Sequence, residues 1–143
     1  MFQNYFTQAE LALAAYANLT TIRPDETALI EAGMSAAQAS AFALKWNVVD
    51  QYTDIATGVS ATVFQAVSGG PKYLAIRGTE GVLDFVVDYF ILNGVPSFLN
   101  PQYLALNTQV QAWLADPTVL QGQSFTVAGH SLGGYLAAGW IQI

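Results

Sequence analysis

The segment whose residue types and spacing can do chemistry is Gly129-His130-Ser131-Leu132-Gly133. It has the form G-x-S-x-G, in which a serine stands on a sharp turn between a strand and a helix. Small residues two before and two after the serine are required because the turn is tight and backbones approach closely. Such a turn holds the Ser131 hydroxyl out over the strand ends as a nucleophile. The helix that starts there aims its N-terminal dipole at a developing oxyanion. The competing, purely structural reading is a tight strand-to-helix turn that contains a serine. Acyl transfer also needs two N–H donors on the tetrahedral oxygen. One is the amide after the nucleophile, here Leu132, and the other comes from a loop after an earlier strand. Thr79, in Arg77-Gly78-Thr79, stands at such a place.

The elements that must position these residues can be read from the pattern. Thr7–Leu19 is Ala-rich with a broad apolar face and predicts a helix. Pro24-Asp25-Glu26 suits the first turn of a short helix over Thr27–Ala32, with Gly33 past its end. Ser35 caps a helix over Ala36–Trp46. Val48–Tyr52 predicts a short strand. Val59–Val67 and Lys72–Arg77 are β-branched and aromatic, and Ser68-Gly69-Gly70-Pro71 between them signals a hairpin. Val82–Leu92 is apolar at helical spacing, with Asp84 and Asp88 on one face. After a loop with two prolines, Tyr103–Ala115 predicts a helix that Asp116-Pro117 ends. Ser124–Ala128 reads as a buried strand, and Tyr135–Ile143, apolar all round, as a buried helix. The series predicts an α/β fold with a mostly parallel sheet, N-terminal helices and an early β-hairpin. It reads as one domain over 1–143, with a helical segment over 1–46 and a sheet core over 47–143.

Composition narrows the function classes. The 143 residues carry ten acids, four bases, one histidine and no cysteine, for a net charge of −6. Lys45, Lys72, Arg23 and Arg77 are scattered, so there is no basic patch to displace counterions from phosphate, and no nucleic-acid partner is expected. Without cysteine there are no disulfides and no thiolate nucleophile. One histidine and dispersed acids form no metal constellation, and no phosphate-binding glycine loop is present, so no cofactor is implied. The uncharged stretches 89–115 and 117–143 are broken by prolines and amides and do not read as membrane spans. No signal peptide is visible at the start. Only 10% of residues are charged and 53% are apolar, a surface poor in charge for a self-contained domain.

Tyr73–Asp88 and Thr126–Gly134 together resemble the class 3 lipases, which are α/β-hydrolase-fold esterases of lipids. That family carries a hydrophobic strand, then Arg-Gly-Thr or Arg-Gly-Ser, then an acid or amide followed by an aromatic, then an Asp. Here these are Arg77-Gly78-Thr79, Asp84-Phe85 and Asp88. The resemblance implies Ser131 as nucleophile, Thr79 and Leu132 as oxyanion donors, and Asp88 as the group that holds the Thr79 hydroxyl. It implies a lipid or short-chain ester substrate met at a transient lipid interface, and Val82–Phe98 as a candidate lid. Similar lipase domains occur in bacterial secreted proteins with calcium-binding repeats, which implies secretion; these 143 residues hold no such repeat.

The chain departs from the family in one respect. The triad runs Ser, Asp, His along the sequence, yet the twelve residues after Ser131 contain neither acid nor histidine. The single histidine, His130, is the neighbour of Ser131 in the turn and projects differently from it, so it cannot serve as its base. Asp50, Asp54 and Asp116 read as solvated. Two functions therefore stand at this point. One is the nucleophile-bearing part of a serine esterase or lipase, inactive in isolation; the other is a non-catalytic or truncated domain with a structural elbow. An elbow strand left at the sheet edge also predicts self-association.

Overall fold

The computed structural model describes residues 2–56, 58–77, 101–122 and 125–129. Three helices come first: α1 (Phe2–Ala14), α2 (Glu26–Glu31) and α3 (Ala36–Lys45). Three strands follow, β1 (Trp46–Thr53), β2 (Ser60–Ala66) and β3 (Lys72–Arg77), then α4 (Pro101–Ala115) and β4 (Phe125–Gly129). The sheet has the order β1-β2-β3-β4. Both β1–β2 and β2–β3 are antiparallel. The parallel pairing enters at β3–β4, after the long crossover through α4.

Local chemistry sets the boundaries. Asp25 accepts from the Thr27 amide at 2.9 Å and Ser35 from the Gln38 amide at 3.1 Å, each satisfying an orphan donor of the first turn. Pro101 opens α4, where its missing N–H costs nothing. Gly69 and Gly70 turn the β2–β3 hairpin with φ of 92° and 100°, a region that favours glycine.

Several boundaries differ from expectation, and two of the differences matter for the architecture. The first helix spans Phe2–Ala14 rather than Thr7–Leu19. Beyond Ala14 the ladder tightens, with the Tyr16 and Ala17 amides bonding three residues back to Leu13 and Ala14, and Gln51 on β1 then holds the segment that follows. Its Oε1 accepts from the Leu19 amide at 3.0 Å, and its Nε2 donates to the Ala17 carbonyl at 3.0 Å. The third helix ends at Lys45, and Trp46 is already extended at φ −121°, ψ 142°, so α3 runs straight into β1. Asp50 is also not simply solvated. Although exposed, it accepts from Trp113 Nε1 at 2.8 Å and from the Gln51 amide at 2.8 Å.

Alternation along the strands divides the core between two faces. Phe64 and Ala75 join α1, α2 and α3 in one cluster with Leu11, Leu29, Phe42 and Trp46. There Phe42 meets Phe64 edge-on at 5.6 Å, and Trp46 meets Tyr73 edge-on at 5.3 Å, geometries that suit aromatic quadrupoles. Val63, Leu74 and Ile76 point the other way, onto Leu106, Val110 and Trp113 of α4. The result is a helix–sheet–helix sandwich.

Candidate active site

The parallel register sets the ends of the two strands that precede the candidate residues. Lys72 lies opposite Phe125, Leu74 opposite Val127, and Ile76 opposite Gly129. The two strands therefore end side by side, about 4.8 Å apart. Arg77-Gly78-Thr79 leaves one end and His130-Ser131-Leu132 the other. Segments that emerge from the carboxyl ends of neighbouring parallel strands form the usual ligand crevice of α/β sheets.

Packing beneath these ends is close. α1 packs against β3 and β4, and its buried Ala14, with Ala15 just past its end, shares a cluster with Ala75 of β3. Small residues on both sides let helix and sheet approach. At the end of β3, the Arg77 guanidinium carbon stands 5.9 Å from the Tyr16 ring centroid, a cation–π distance. Arg77 Nε is buried and has no hydrogen-bond partner among the described residues, so within them the ring face compensates only part of its desolvation. On the neighbouring strand ends, Thr53 Oγ1 and Ser60 Oγ bond at 3.0 Å. Burial first, and then the charge of Asp54, push the Tyr52 phenol above its ordinary value.

The opposite end of the sheet fixes where β4 begins. Lys72 is 5% exposed. Its Nζ donates to the Val119 carbonyl and, at 3.4 Å, to that of Thr118. This ties the turn before β4 to the start of β3. In the same turn Asp116 accepts from the Thr118 hydroxyl and amide at 2.6 and 2.8 Å. Those bonds, with a smaller contribution from Lys72, hold its carboxyl below the usual value.

Ser131, Leu132, Thr79 and Asp88 lie outside the described residues, as do His130, Glu80, Asp84, the candidate lid 82–98 and the last helix. What the described residues bring together are β3 and β4, the strands that precede the first three in the sequence. Tyr16, Gln51 and Lys72 were not singled out by sequence. Strand alternation puts Arg77 on the face opposite Ile76, which points to the N-terminal helices, but no local pattern names Tyr16 as its partner. Among the described residues no group of His, Cys, Asp or Glu is placed to hold a metal ion, and no helix is long and apolar enough to cross a membrane.

Helices on both faces of a sheet whose last pairing is parallel define a partial α/β-hydrolase fold of the lipase kind. The chain is similar in structure to Lip2 lipase from Yarrowia lipolytica, with a TM-score of 0.57 and 18% identity, over 96% of this chain and 52% of that one. Lipase II from Rhizopus niveus gives 0.49 and 17%, over 94% and 52% of the two chains. A lipase from Rhizopus microsporus var. chinensis gives 0.49 and 15%, over 94% and 48%. The chain thus spans about half the length of the lipases it resembles. No protein-family model and no curated protein matches the sequence.

Proposed function

We propose that these residues form the nucleophile-bearing half of a serine carboxylic-ester hydrolase that acts on lipid esters. The observation that supports this reading is the parallel pairing of Ile76 with Gly129, which brings together the ends of the two strands that precede Gly78-Thr79 and His130-Ser131-Leu132 in the sequence. Ser131 Oγ attacks the ester carbonyl carbon and gives up its proton to a base. The oxygen that becomes negative accepts from the Thr79 and Leu132 amides, while Asp88 holds the Thr79 hydroxyl. The alcohol leaves with the proton, and water then releases the acid from the acyl-serine. In this reading the base and its Asp partner lie outside these 143 residues, because His130 is the only histidine among them. That same shortage favours the second reading, a non-catalytic domain with a structural elbow. Action outside the cell is part of this proposal and rests only on the sequence resemblance of Tyr73–Asp88 and Thr126–Gly134.

Hydrolysis of p-nitrophenyl butyrate by the natural polypeptide that contains these residues separates the two. Ser131→Ala is expected to lower kcat by about 10⁴ or more, as losing a triad nucleophile does. A variant that keeps a tenth of the wild-type rate removes Ser131 as nucleophile. The 143-residue chain alone is expected to show little or no turnover, since a serine without its base is a poor nucleophile.

A further inference from the structure

Lys72 is the one charged side chain that is buried among the described residues. Leu74 and Ile76, further along β3, pack on α4, and strand alternation sets Lys72 on the same face. Taking an ammonium out of water is costly unless it is well bonded. A hydrophobe of similar length would bury the same carbons without that cost. Here Nζ donates to the Val119 and Thr118 carbonyls. The turn that carries them is braced from within. Asp116 accepts from the Thr118 amide and hydroxyl. Its carbonyl accepts from the Val119 and Gln121 amides, each at 3.1 Å, and the Leu120 amide donates back to the Trp113 carbonyl at 3.1 Å. Residues 116–121 thus form one block with the end of α4. A short run later Phe125 opens β4, opposite Lys72 itself.

The register of β4 needs such a device. The strand has five residues. Phe125 and Val127 turn toward α4, and Thr126 and Ala128 to the other face. A slip of one residue would reverse the faces, but a slip of two keeps them. Apolar packing of α4 on the sheet is non-directional and opposes such sliding weakly, whereas the bonds from one ammonium to two carbonyls are directional. Buried polar groups kept at a cost in stability are best attested as selectors of register. We infer that Lys72 fixes the register of β4 on β3 and is thereby a positioning residue for the candidate nucleophile and oxyanion donors. A slip of two residues moves one strand end past the other by about 6.6 Å. Oxyanion donors must stand about 2.7–3.1 Å from the oxygen they hold, so the shifted register is inactive. Lys72 does this from about 17 Å away, the rise of β3 from its first residue to Arg77, and touches no reacting group. Its part in turnover rests on the ester-hydrolase reading; its hold on the register does not.

The test is made in the natural polypeptide that contains these residues. None of the 143 is cysteine, so cysteine pairs placed among them report strand register. Ala75 lies opposite Ala128, and neighbouring strands are close enough for a disulfide. Ala75→Cys with Ala128→Cys therefore crosslinks the observed register. Ala75→Cys with Thr126→Cys crosslinks the one in which β4, freed from the turn at its start, has advanced by two residues. Crosslinks formed in a glutathione redox buffer are quantified by peptide mass. Lys72→Met is expected to lower the ratio of native to shifted crosslink about tenfold or more, the scale of one charge-assisted hydrogen bond. Its urea midpoint is expected to change little, because relief of the buried ammonium offsets two carbonyls that lose a donor. In ester hydrolysis kcat is expected to fall with the native-register fraction while KM stays the same, and closing the Ala75→Cys/Ala128→Cys crosslink is expected to restore kcat. Three results overturn the role of Lys72: an unchanged crosslink ratio, a fall in kcat that the native crosslink does not restore, or a Lys72→Met chain too unstable to fold, which would make the ammonium a prop of the fold and not of the register. A shifted ratio in a polypeptide that hydrolyses no ester would instead refute the hydrolase reading and leave the register role standing.

Discussion

Replacing Gln51 with leucine removes three hydrogen bonds at once. Its Oε1 accepts from the Leu19 amide at 3.0 Å, and its Nε2 donates to the Ala17 carbonyl at 3.0 Å and to Thr62 Oγ1 at 2.8 Å. All three partner residues are buried, at 3%, 4% and 0% exposure. A typical bond contributes about 1 kcal/mol net, and a buried group left unpaired costs about 1–3 kcal/mol. Water reaches the half-buried Gln51 position in part, so the loss is expected at about 3–5 kcal/mol, a large share of the roughly 5–15 kcal/mol that holds a domain together. With a urea slope of about 2 kcal/mol/M, the midpoint should fall by about 1.5–2.5 M. Thr62→Val removes only one of the bonds and should cost about 1 kcal/mol. Gln51→Glu still accepts from Leu19 but sets a carboxylate oxygen against the Ala17 carbonyl, so it should not restore stability. Equilibrium unfolding followed by circular dichroism measures all three. A midpoint shift under about 0.5 M for Gln51→Leu would refute the view that this amide ties the N-terminal helices to the sheet.

Two further outcomes follow from the same network. Trp113→Phe keeps most of the core packing but loses the bond to Asp50, and should cost about 1 kcal/mol; Trp113→Ala, which empties the site of a 2% exposed ring, should cost about 4 kcal/mol. Urea midpoints that fall equally for both would show that the ring itself contributes nothing. Asp116 is held below its ordinary value by its bonds to Thr118. Its charge therefore stabilises the fold fully above the unfolded carboxylate value near 3.9, and the contribution is lost as pH falls through the lower folded value. Asp116→Asn should melt earlier than wild type at pH 7 and no earlier once the wild-type carboxyl is protonated in strong acid. A gap that persists there would remove the charge as its cause.

Much of this architecture is legible in residue types because local rules and tertiary packing agree. Ser35, Pro101 and the Gly69-Gly70 pair each do what their backbone preferences favour, and the hairpin and α4 follow. Agreement fails where a distant side chain takes over. The Ala-rich run through Leu19 has helical periodicity, yet its end is held by Gln51 from 32 residues away. The bulge between Val48 and Asp50 likewise leaves no mark in a short strand pattern. The site divides the same way. The chemistry proposed for it is read from the spacing of Gly129, Ser131 and Gly133, because a sharp strand-to-helix turn favours small residues two before and two after its serine. The adjacency of the β3 and β4 ends is not written there, because parallel pairing joins segments with no local signal for each other.

That pairing has a kinetic side. The meander β1–β2–β3 closes through short turns, so it and the helices packed on it can form from the first 77 residues, which leave the ribosome before α4 and β4. Leu74 must instead wait for Val127, roughly fifty residues later. Compared with the roughly ten residues between paired positions of β2 and β3, closing that loop costs about 1.4 kcal/mol more in chain entropy. Non-local pairing of this kind slows folding. The platform should therefore stand first, and the carboxyl ends of β3 and β4 meet last. A newly made chain would pass through a state with a folded N-terminal layer, an unfilled α4 face and an open β3 edge. That intermediate is the form a chaperone would encounter and the one most exposed to wrong strand pairing.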